Sequence, residues 1–131
     1  MKHLKIMLCL TLMLNGCKTL QTGEKTPYQI AEQAAKVAST TFDIVNEFTY
    51  DEIARLVIQG NLSQIEVAEL EVLNAMREPL SDFRITLNAY VSLLKLWKQS
   101  GEKPIGFDNA MSRLSDVSQI VINAYQQVLK E

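Results

Sequence analysis

Apolar positions recur every three or four residues through most of the chain, the period of an α-helix with one buried face. Ala31, Ala34, Ala35, Ala38, Phe42 and Val45 form one line, and Ile30, Val37 and Ile44 a second beside it. Together they predict a first helix with a broad buried face. Thr26-Pro27 begins it, threonine suiting the cap and proline the first helical position. Thr49-Tyr50-Asp51-Glu52 has the form of a capping box, which predicts a break or bend before Ile53, Leu56 and Val57 resume the pattern. Gly60-Asn61 supplies the stop.

Ser63-Gln64-Ile65-Glu66 is a second capping box, followed by Ile65, Ala68, Val72 and Met76 at helical spacing. Pro79 lacks an amide donor and crowds the turn before it, so a kink or short loop is expected at Arg77 to Leu80. Phe83, Leu87, Tyr90, Leu94 and Trp97 then make the cleanest stripe in the chain, which Gly101 and Pro104 end. After a connection around Ile105-Gly106, Asp108 suits the cap of a last helix buried along Met111, Leu114, Val117, Val121, Tyr125 and Val128. No segment shows sustained β alternation. The expectation is an all-α fold, a small bundle of three to four helices over residues 26–131.

The first residues follow another rule. Lys2, His3 and Lys5 precede an apolar run, Ile6 to Leu14, interrupted only by Thr11, and Asn15-Gly16-Cys17 closes it. Nine residues fall well short of the roughly 20 that span a bilayer, so the layout is that of a secretory signal peptide covering residues 1–16. An ordinary signal peptide with a chance cysteine near its end fits the same layout. Leu14-Asn15-Gly16-Cys17 resembles the lipobox of bacterial lipoprotein precursors, with Leu three places before the cysteine and a small residue directly before it. Asn15 stands where that family usually has Ala, Ser or Val. The resemblance implies cleavage before Cys17, transfer of diacylglycerol to its thiol and acylation of the freed amine, commonly with palmitate. Lys18, where an Asp would retain a Gram-negative lipoprotein in the inner membrane, implies an outer-membrane anchor facing the periplasm. Residues 17–25 are then the lipidated cysteine and a polar tether, whose eight residues after Cys17 have a root-mean-square span of about 15 Å.

Removing sixteen of 131 residues leaves 115, enough for one domain with a real core. Thirteen basic residues less Lys2 and Lys5 leave eleven against fifteen acidic ones, a net charge of −4. With no concentrated basic stripe, nucleic acid is not an expected partner. His3 is the only histidine and Cys9 leaves with the signal, so the mature chain has neither a histidine nor a second thiol. Histidine-based nucleophile systems and histidine or thiolate zinc sites are excluded within it, and no cofactor is expected. Glu66, Glu69, Glu71 and Glu78 read as a solvated acidic face rather than a metal or acid–base site, and Asp51 and Arg55 as an ion pair four residues apart.

Two groups remain. Lys95, Trp97 and Lys98 suit a membrane interface, where an indole sits among headgroups and ammonium groups meet phosphates. They equally suit a core stripe whose lysines favour a helix C-terminus. Ile105 and Phe107 are apolar residues in an otherwise polar connection, and read either as a partner surface or as side chains tucked under the bundle. The functional expectation is a non-enzymatic interaction module, anchored by Cys17 and contacting another envelope protein in an assembly, inhibition or exclusion role. The alternative is a structural or lipid-handling helical lipoprotein.

Overall fold

The computed structural model describes residues 25–130. They form four helices and, among the described residues, no strand: α1 Pro27–Gln59, α2 Gln64–Ala75, α3 Arg77–Ser100 and α4 Phe107–Lys130. The all-α bundle expected from the periodicity is the fold observed.

The helices make three columns. α1 alone is the first, 33 residues and about 50 Å long. α2 and α3 together form the second, running back along it: Gln59 bonds Glu66, Thr49 touches Met76, Phe42 packs at a tilt on Phe83, and Tyr28 meets Trp97 edge to face. α4 is the third, antiparallel to α3 and parallel to α1, since Phe107 meets Tyr90 and Trp97 at one end and Tyr125 meets Phe48 further along. Lys25 and the α3–α4 connection therefore share one end of the bundle. The α1–α2 hairpin forms the other.

Local sequence accounts for most boundaries. Thr26 and Gln29 exchange hydrogen bonds in a capping box, with Pro27 directly behind the cap. Ser63 and Glu66 do the same for α2. Gly60 ends α1 at φ +84° and Gly101 ends α3 at φ +76°, a region costly for a side chain with a Cβ. Between α2 and α3 the chain turns at Met76 alone, three residues before Pro79. A continuous helix would drive the Pro79 ring into the Ala75 carbonyl, whereas in the first turn of α3 its missing amide is no loss.

Four expectations need correction. α1 does not break at Thr49. That residue is fully buried, its hydroxyl donates to the Val45 carbonyl at 2.7 Å, and its side chain packs against Met76 at the turn between α2 and α3, so it serves the interior of a helix. Arg55 pairs with Glu52 at 2.9 Å and reaches Glu69 of α2 at 4.0 Å, instead of pairing with Asp51. Asp108 lies inside α4, exposed and ion-paired to Lys103 at 2.5 Å, while Gly106 at φ +87° begins the turn. The buried line of α2 runs through Leu73 and Met76, with Leu70 and Val72 partly covered, and leaves Ile65 79 % exposed.

The core unites all three columns. Ala31, Ala35 and Ala38 allow α1 to approach closely, and Phe83, Tyr90, Phe107, Ile122 and Tyr125 fill the space between helices. Buried hydroxyls on the helices bond back to carbonyls of the preceding turn, as Thr41 does to Val37 and Ser118 to Ser115.

Candidate functional site

Two of the four carboxylates that sequence places together, Glu66 and Glu69, are engaged by neighbouring groups. Glu66 accepts from the Ser63 amide and from Gln59 Nε2, and these bonds, the backbone one foremost, hold its carboxyl below the usual carboxylate range. Glu69 faces Arg55, whose guanidinium is held further toward the charged form chiefly by its hydrogen bond to Glu52. Glu71 and Glu78 are exposed. No group of three or more potential metal ligands occurs among the described residues.

The two large shifts of acidity belong to core tyrosines. Burial pushes the Tyr125 hydroxyl up to about 12, and Tyr90 is raised for the same reason. Tyr90 donates to the Ala31 carbonyl at 2.7 Å, tying α3 to α1. The Tyr125 hydroxyl finds no partner among the described residues. Neither opens into a groove in a way that suits proton transfer, since both rings are fully buried.

At the Lys25 end, Trp97 is sandwiched edge-on between Tyr28 at 5.6 Å and Phe107 at 5.0 Å. Phe107 is 1 % exposed and also meets Tyr90. Phe107 is thus withdrawn from the partner surface on which the sequence allowed it, because it plugs the aromatic end of the core. Ile105, two residues earlier, is fully exposed at 101 %. Trp97 is half-buried, while Lys95 and Lys98 are exposed on the rim of a groove between α1 and α3. The groove has a volume near 370 Å³, and Tyr28, Glu32, Lys36, Lys95 and Lys98 line it. Glu32 accepts from the Tyr28 hydroxyl at 3.2 Å and lies 3.8 Å from Lys36, so its charge is already engaged.

At the far end, the α1–α2 hairpin presents Val57, Ile58, Ile65 and Val67 to solvent, with Ile58 at 84 % the most exposed. Glu52, Glu66, Glu69 and Glu71 belong to the same hairpin. Sequence reading missed this apolar tip because Val57 and Ile65 continue the helical period. The missing signal is tertiary: whether Val57, Ile58 and Ile65 are covered depends on which helices reach the hairpin, and period alone does not tell.

Cys17 and the proposed signal peptide lie outside the described residues. No described helix is long and apolar enough to cross a membrane. No protein-family model, curated protein or solved structure matches the chain.

Proposed function

We propose that the protein is a lipoprotein, cleaved before Cys17 and anchored through diacylglyceryl and acyl chains, that acts by contact with another envelope protein and performs no catalysis. Lys18 favours an outer-membrane anchor facing the periplasm. The observation that carries the contact reading is the apolar hairpin tip, where Val57, Ile58 and Ile65 are exposed at the end remote from Lys25. Isolated exposed apolar residues are ordinary, but four gathered on one short hairpin make a binding surface. Its acidic surroundings suit a partner whose own apolar patch is rimmed by Lys or Arg. Anchoring raises the local concentration of a partner on the same membrane, so a modest contact suffices. The lipid-handling alternative has less support, because the described grooves are open and the bundle interior is filled by side chains.

The test is site-specific photocrosslinking in cells, with the reactive residue at Ile58, at Ile65 and, as a control, at exposed Ser115 of α4. The expected result is one protein adduct common to positions 58 and 65 and absent at 115. Adducts at no position, or loss of function when Glu66, Glu69, Glu71 and Glu78 are all changed to Gln without unfolding, would overturn it. Glutamine preserves the capping role of Glu66, which makes that control informative.

A further inference from the structure

We infer that the tether end of the bundle is itself a docking face for an anionic phospholipid surface, with Ile105 as its apolar contact and the α1–α3 lysine groove as its headgroup site. The inference rests on the anchoring reading, and it adds a second contact to the one made by lipid at Cys17.

Four observations meet at this end. The first described residue, Lys25, is here, eight residues after Cys17, a span of about 15 Å, so an anchor at Cys17 keeps this end within reach of headgroups. Lys36, Lys95 and Lys98 share one groove wall and rim, and Lys103 is exposed in the adjoining connection. Lys36 is paired with Glu32 and Lys103 with Asp108, so Lys25, Lys95 and Lys98 are the cations that face phosphate, against the one exposed carboxylate of the connection, Glu102. Ile105 stands fully exposed between Pro104 and Gly106, beside an aromatic cluster of Tyr28, Trp97 and Phe107.

An exposed isoleucine on a short, proline-bounded connection gains by entering the headgroup boundary, and the lysines around it gain from phosphates. Trp97 is half-buried and need not insert, since its rings with Tyr28 and Phe107 brace the base of the connection. A neutral surface offers Ile105 the same hydrocarbon but gives the lysines nothing. Anionic lipid is therefore the matching surface.

The test uses the full-length protein extracted from membranes and reconstituted into vesicles of phosphatidylcholine, with or without phosphatidylglycerol, reading amide hydrogen exchange in residues 101–106. Protection of this connection in the anionic vesicles, little in the neutral ones, and no change at the hairpin residues 59–63 is the expected result. Ile105→Ser should abolish the protection. Lys95→Gln and Lys98→Gln should each lower the docked fraction about fivefold, the effect of one lysine at an anionic surface. Equal exchange in the two vesicle types would overturn the inference, as would equal protection by inorganic phosphate without vesicles. The anchoring reading fails by a different result, equal incorporation of labelled palmitate by wild type and Cys17→Ser.

Discussion

The two core tyrosines should respond in opposite directions to loss of the same atom. Both rings are fully buried, yet the Tyr90 hydroxyl donates to Ala31 at 2.7 Å and the Tyr125 hydroxyl has no partner among the described residues. Removing a satisfied hydroxyl forfeits a net hydrogen bond, about 1 kcal/mol, so Tyr90→Phe should be destabilised by roughly that amount. Removing an unsatisfied one relieves a desolvation cost of about 1–3 kcal/mol, so Tyr125→Phe should be neutral or more stable. The ring contact of Tyr125 with Phe48, 5.1 Å edge to face, survives the change. The assay is urea unfolding followed by helical circular dichroism, where a shift in midpoint at constant slope reports stability alone. The acidity of Tyr125 adds a second readout. A folded-state pKa near 12 against an ordinary value of 10 means that the folded chain holds the proton more tightly, so its contribution is complete below about pH 10 and is lost as pH rises toward 12. Tyr125→Phe should flatten that part of the alkaline loss. A Tyr125→Phe protein destabilised by more than about 1 kcal/mol, beside an unaffected Tyr90→Phe, would refute the reasoning.

Phe83→Ala and Leu87→Ala should each lose about 2–5 kcal/mol in the same assay, because both side chains are buried between α3 and its neighbours. Phe107→Ser should lower the unfolding free energy sharply while Ile105→Ser leaves it within about 0.5 kcal/mol of wild type, separating the plugged residue from the exposed one. Ser63→Ala should cost about 0.5–2 kcal/mol, read as faster amide exchange in the first turn of α2, by removing one half of its capping box. Cys17→Ser should incorporate no labelled palmitate and accumulate as the longer precursor on a gel, and equal incorporation would remove the lipid anchor.

Much of the fold was legible because the α3 stripe, the α1 alanines and the caps at Thr26 and Ser63 each act locally, through period or through a short hydrogen-bonded box. Thr49 misled for a reason of the same kind. A threonine followed three residues later by Glu satisfies a cap only when its backbone is free to leave the helix, and here Met76 at the turn between α2 and α3 holds it inside. Ile65 and Val57 misled because period reports which residues align and not whether another helix arrives to cover them. Coverage depends on which elements reach the hairpin, which is a matter of the whole topology. At the Lys25 end the pair Ile105 and Phe107 read alike in sequence, and only the aromatic contacts of Phe107 with Tyr90 and Trp97 tell them apart.

The unbroken course of α1 makes it a ruler. Since α1 runs unbroken for 33 residues, the hairpin tip stands about 50 Å from Thr26 at its other end. Whatever meets the tip meets it that far from Lys25. Removing two turns from the middle of α1 would lower the tip by about 11 Å and, because α2 and α3 pair with α1 along its whole length, would need an equal shortening of the second column to keep the core in register. The bundle sets a distance as well as a surface, and its length is as open to selection as any side chain it carries.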